Sequence, residues 1–311
     1  MQEHENTSTG TRVYAMTGKY HHGSLTVKTR ARGRPDERES HFQALLLRAV
    51  AAIRRDTNRA DIAREWDSGR DTEGVIDAIK WESGLAILRG GVKWALHAAY
   101  ESGARAAAMA MPKVRKASAA IVGVLDAVSP TAIEATATRA AELIAEFGSS
   151  SIDAIRDILI KAMSGDLSGP EIAKQLMDSG IGLTSKSASA VQRYREGLED
   201  EGGYTAAEID RLVQAKYDKA LRQRADLIAR TEIMRASRDG NQELWAQAKE
   251  DGLLDDRAVQ QWHAEPGACP KCEPLDDQTA PIGGQFPGEG GDGPPLHPAC
   301  RCTLTMRPTG I

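Results

Sequence analysis

The first 268 residues contain no cysteine, and aromatic residues make up only 5% of the chain, with three phenylalanines in 311 residues. So few large rings argue against a β-sandwich; the abundant alanine favours helices packed closely on small side chains. No apolar run approaches the ~20 residues that a transmembrane helix needs. The opening MQEHENTSTGTRVYAMTGKYHHG lacks the apolar core of a signal peptide and is not expected to act as one. A large excess of one charge is missing too. A net charge of −4 exerts no global pull on nucleic acid, so any such contact must come from a local patch. No phosphate-binding glycine loop, nucleophile elbow or two-histidine metalloprotease motif occurs. His263 and Glu265 in QWHAEPGAC form a His-x-Glu pair, but the cysteines follow too closely for a deaminase arrangement. Both are expected to be ordinary surface residues of a loop.

What is present reads as mainly α-helical, with helical N-terminal and central regions and a small irregular C-terminal zinc-binding module. Residues 1–39 read as a flexible arm, basic between Arg12 and Arg34, where Lys28, Arg30, Arg32 and Arg34 have no acidic neighbour. Residues 40–148 read as a helical domain. Leu46, Val50 and Ile53 recur at helical spacing from His41 onward. Trp81, Leu85, Leu88 and Trp94 are expected in the core, with Gly90-Gly91 as a break or a close contact. Ser129, Pro130 and Gly148 bound a further helix as cap, first turn and stop. Residues 149–252 read as a second helical domain, where Ser168/Glu171 and Thr205/Glu208 have capping-box spacing. The long run after Thr205 is either one helix or two meeting near Gly240. From 253 to 311 the character changes, and residues 273–299 hold six glycines and six prolines. A loop of that length and composition needs something to pin it.

The cysteines supply that pin. Cys269-x₂-Cys272 and His297-x₂-Cys300-x-Cys302 offer five soft donors in CPKCEPLDDQTAPIGGQFPGEGGDGPPLHPACRC. In a reducing cytoplasm such a cluster points to metal ligation in preference to disulfides. Zinc takes four such ligands in a tetrahedron, so one donor is in excess. Cys269, Cys272 and Cys300 are the first three choices; His297 and Cys302 compete for the fourth place. Four protein ligands leave no open position for water, which makes the expected role of the zinc structural.

Several strings occur in a telling order: RQRADLIARTEIMRASRDGNQELW, QWHAEPGACPKCEPLDDQ, then PPLHPACRCTL. Order and strings resemble the phage Mu F-like minor head proteins, the head-morphogenesis proteins of tailed bacteriophages, over roughly residues 152–304. Residues 1–150 carry no matching string, and Leu275-Asp276-Asp277 stands where that family often has Leu-Asp-Gly. The resemblance implies a virion component of the phage head at the portal vertex, made in the host cytoplasm and acting in head morphogenesis. Implied partners are the portal protein, with the major capsid or scaffold protein as further candidates, and packaged double-stranded DNA held weakly and non-specifically. A membrane partner is not expected. A role aiding DNA packaging or ejection is also implied. Carried over as a structural brace between helix and metal module are Arg230, Thr231, Glu232, Trp262 and Asp276. Asp276 is suited to accepting backbone N–H groups in a turn.

Three functions compete. The first is a structural head protein that is not an enzyme. The second is a cytoplasmic zinc-module protein that binds DNA and regulates; its long helix carries Lys216, Lys219, Arg222, Arg224, Arg230, Arg235 and Arg238, with acids interspersed. The third is an enzyme, ranked last because residues 1–150 show no catalytic constellation.

Overall fold

A computed structural model of the chain describes residues 36–111 and 130–307. The basic residues Lys28, Arg30, Arg32 and Arg34, the cap expected at Ser129 and most of the connection after Met111 lie outside them. Eight α-helices are described: α1 (Glu37–Asp56), α2 (Arg59–Gly69), α3 (Thr72–Ala78), α4 (Trp81–Ala110), α5 (Pro130–Ala162), α6 (Gly169–Gln175), α7 (Ser185–Glu201) and α8 (Ala206–Glu250). A single π-turn, Leu176–Gly180, follows α6. Three short strands close the chain: β1 (Val259–His263), β2 (Thr279–Pro281) and β3 (Thr303–Arg307). The mainly α reading with a C-terminal Cys/His cluster therefore holds. The module is less irregular than its composition suggests.

Helix α1 starts at Glu37, inside the stretch read as an arm, because Asp36 caps it by accepting the Arg38 N–H at 2.9 Å. Its buried face, Phe42, Leu45, Leu46, Ala49, Val50 and Ile53, packs on α4 and α8. Helix α4 runs unbroken through Gly90-Gly91. Gly91 is a close contact, since a Cβ there would lie 2.7 Å from Leu45 Cδ2. Leu88 is buried and Trp81 and Leu85 pack against the core, but Trp94 is 66% exposed, against expectation. It lies beside Lys93 and His97 on the outer face of α4.

Gly148 does not stop α5. The helix continues through Ser149–Ser151, where Ser150 and Ser151 donate their hydroxyls back to the Glu146 and Phe147 carbonyls at 2.6 and 2.9 Å. Tertiary packing outweighs the weak helix propensity of that Gly-Ser run. The helix also crosses the division expected at 148/149. One buried cluster draws on both sides of it, from Phe42 through Phe147 and from Ala154 through Ala236. The two helical regions share a single core.

Both capping boxes form, at Ser168/Glu171 and Thr205/Glu208. Helix α8 is one helix of 45 residues, continuous through Gly240. Gly240 meets α4 backbone to backbone: a Cβ on it would collide with the Tyr100 carbonyl oxygen, and one on Gly103 would collide with the Ser237 carbonyl oxygen. Each helix presents a glycine to the other at this crossing.

A second buried cluster forms where α4 and α8 end. Ala104, Ala107 and Met111 from α4, and Leu244, Trp245 and Ala248 from α8, meet Trp262, Leu275, Phe286, Leu304, Met306 and three of the cysteines. The module thus draws much of its apolar mass from the helices. Its sheet has the order β2-β1-β3, both pairs antiparallel, with Trp262 opposite Leu304 and Gln261 opposite Thr279.

Candidate metal centre

The CPKC turn is built by local backbone bonds: Cys272 and Glu273 donate their N–H groups to the Cys269 carbonyl at 2.9 and 3.0 Å. That tight turn sends both sulfurs to one side, toward His297. His297 Nε2 lies 3.2 Å from Cys269 Sγ and 3.3 Å from Cys272 Sγ. Cys272 Sγ lies 3.9 Å from Cys300 Sγ. The donors fall into two overlapping triads, Cys269–Cys272–His297 and Cys272–Cys300–Cys302, each with its ligand atoms within 4.8 Å of one another. All five predicted donors are brought together, and Cys272 belongs to both triads.

No cysteine pairs with another: all four are free, and the 3.9 Å sulfur separation far exceeds a disulfide bond of roughly 2.05 Å. It resembles instead the edge of a metal-centred tetrahedron, in which zinc bonds of roughly 2.0–2.3 Å place donors about 3.5–3.8 Å apart. The donor set is compatible with a metal ion. Cys272, Cys300 and Cys302 are buried, whereas Cys269 and His297 sit at the rim.

The protonation pattern shows why this cluster suits a cation. Backbone N–H groups of Cys272 and Lys271 lower the pKa of Cys269. A hydrogen bond from Cys302 takes Cys300 down to about 5. Burial pushes Cys272 up to about 12, and Cys302 is raised by its bond to Cys300 and by burial. The shifts run in opposite directions within one cluster; four thiolates together would repel one another without a cation among them. His297 is raised, first by its bond to the Pro298 carbonyl, with Nδ1 at 2.9 Å from that oxygen. With Nδ1–H committed there, a neutral ring presents its Nε2 lone pair to the sulfurs, as a metal-ligating histidine requires.

The predicted brace divides. Thr231 Oγ1 accepts the Ala299 N–H at 3.2 Å, one residue before Cys300, which joins α8 to the loop that carries the last two cysteines. Arg230 lies 3.8 Å from Glu39, and Arg301, between the last two cysteines, lies 3.9 Å from the same carboxylate. Asp276 accepts the Ala264 N–H at 2.8 Å, which joins the turn after the CxxC to the end of β1. Trp262 is fully buried, edge-on to Phe286 at 5.4 Å. Glu232 is the correction. It is buried but turns away from the module, pairing with Arg139 of α5 at 2.8 Å and Arg235 at 2.9 Å. His263 is a correction as well: it lies on β1, not in a loop, with Nε2 2.6 Å from Thr305 Oγ1. His263, Asp276 and Asp277 also approach within 4.8 Å, but both carboxylates hold structural bonds, Asp277 accepting from Gln261 Nε2 at 2.7 Å. Asp277 has φ +61°, the left-handed conformation in which the resembled family's glycine would sit without strain.

Sequence reasoning missed the strap that holds the glycine-rich loop. Arg238 donates to the Gly293 carbonyl at 3.3 Å and Gln242 to the Asp292 carbonyl at 2.7 Å. With Thr231 these residues form one stripe along α8, and residues 292–299 run antiparallel beneath it. The signal was the i, i+7, i+11 spacing of Thr231, Arg238 and Gln242. Gln260 completes the lock by accepting from Gln242 at 2.9 Å and donating to the Gly284 carbonyl at 2.8 Å. Compared with family models, curated proteins and solved structures, the chain matches none.

Proposed function

We propose that the protein is a minor head protein of a tailed bacteriophage, bound at the portal vertex, whose C-terminal module is held by one structural zinc ion. The supporting observation is spatial. The strings that carry the family resemblance lie up to 68 residues apart, yet Thr231 of the ARTE string bonds Ala299 of HPACRC, and His297 of HPACRC faces both sulfurs of the CxxC. Zinc is the reading of the metal because the donors are thiolates and an imidazole, the set it prefers. Four of the five protein donors fill a tetrahedral shell and leave no open position for water, so the ion's role is to close the loop; the protein's role is assembly without catalysis. The helical body is the surface assigned to the portal. Lys28, Arg30, Arg32 and Arg34, outside the described residues, are assigned weak contacts with packaged DNA.

Co-purification tests this reading. Tagged full-length protein should retain its portal or procapsid from lysates of infected cells. Deletion of residues 1–35 should leave that association intact and remove salt-sensitive binding to duplex DNA. Failure of the full-length protein to associate with portal or procapsid overturns the head-protein reading, and sequence-specific DNA binding would favour a zinc-module regulator in its place.

A further inference from the structure

Glu39 sits in the first turn of α1, where the described chain begins, and is 4% exposed. Its Oε2 is buried and makes no hydrogen bond among the described residues. Two guanidinium groups from distant parts of the sequence flank it: Arg230 on α8 at 3.8 Å and Arg301 on the metal loop at 3.9 Å. A buried carboxylate without hydrogen bonds depends on nearby positive charge for its place in the interior. Arg301 stands between Cys300 and Cys302, both 2% exposed, so its backbone goes where the metal loop goes. Arg230 belongs to the same helix that straps the loop through Thr231, Arg238 and Gln242.

We propose that Glu39 is a positioning residue for the metal centre, and that through Arg301 the binding of zinc is coupled to the docking of the first turn of α1. The inference rests on the metal reading above. When the loop is closed on a cation, Arg301 is held beside Glu39 and the turn is anchored from two sides. With the loop open, Glu39 keeps Arg230 alone of its two partners among the described residues, and the start of α1 loosens. Coupling of this kind is reciprocal: whatever zinc does for α1, an intact α1 turn does for zinc.

The test measures zinc affinity of the full chain by competition with a chromophoric chelator, and amide exchange of residues 37–42 with and without zinc. Glu39→Gln and Arg301→Gln should each weaken zinc binding by roughly tenfold or more, the size typical of groups that orient metal ligands. The double variant should be weaker by less than the product of the two single effects, since both remove one contact. Arg38→Gln, on the same turn but paired with Asp36 at 2.7 Å, should leave affinity unchanged. Exchange at 37–42 should slow when zinc is bound to the wild type. Should Glu39→Gln fail to fold, Arg301→Gln and the wild-type exchange decide the matter, because the Arg301 side chain is 40% exposed and tolerates replacement. Independent effects in the double variant, or exchange in α1 indifferent to zinc, overturn the coupling. A wild-type chain that binds no zinc overturns the metal reading itself.

Discussion

Cys272 is the donor common to both triads and, with Cys300 and Cys302, one of three that are buried. Its replacement therefore costs more than that of any other donor. Protein purified without added metal should carry about one zinc per chain, set by the four-ligand shell. Cys272→Ser should abolish that content. His297→Ala and Cys302→Ser should differ from each other, and elemental analysis of the two identifies the fourth ligand. Equal retention of zinc by Cys272→Ser and the wild type would refute the shared-donor geometry. At this scale the donors were legible because thiols are rare and their spacing is itself a signal. Glu39, Arg238 and Gln242 were not: the i, i+7, i+11 spacing of Thr231, Arg238 and Gln242 marks one helix face, but it does not reveal which loop will lie across it. Glu232 misled for the converse reason: its neighbour Thr231 does face the module, while a residue one step further along a helix points about 100° away.

Among the elements, glycines that look alike in sequence play opposite parts. Gly90 is exposed, and a Cβ there would meet nothing within 4 Å. Gly90→Ala should stabilise the protein by about 0.5–1 kcal/mol through helix propensity alone. Gly240 gains the same propensity on replacement, but its Cβ would strike a carbonyl of α4, and rigid backbone cannot yield as a side-chain end does. Gly240→Ala should therefore destabilise by about 1–3 kcal/mol net. Thermal melts of the two variants should move in opposite directions; a shared direction contradicts the crossing. The helices themselves were readable from caps and periodicity, and both capping boxes formed as spaced. The strands were not. In β1 the consecutive residues Gln260, Gln261 and Trp262 are all buried, so there is no polar–apolar alternation to read; the two glutamine Nε2 groups donate to Gly284 and Asp277, while Gln261 Oε1 is buried without a hydrogen-bond partner among the described residues. The stop expected at Gly148 failed because serines that often end helices bond back to their own helix here.

For the whole molecule, the division into two buried clusters matters more than the number of segments. No cysteine belongs to the large helical cluster, and all four belong to or pack against the second. Removal of metal should therefore open the module and, beyond the first turn of α1, leave the helical body folded. A strong chelator should shift the fluorescence of Trp245 and Trp262 to the red, while far-UV circular dichroism keeps most of its helical signal. Global loss of helix on chelation would mean that the clusters fold as one unit. No helix among the described residues is long and apolar enough to cross a membrane. The apolar surface of α4 and α8 that extends beyond the main core is taken up by the module instead.

Helix α8 belongs to both clusters, and at about 1.5 Å per residue its 45 residues make a rod about 67 Å long. Mechanically it is a beam without a joint. Its one interior glycine is clamped against α4, and only residues 251–258 separate its end from β1. A pull on the cysteine loop directed along that beam would load Thr231, Arg238 and Gln242 together, in shear and not one bond at a time. The loop and the helical body are thus joined through one rigid element.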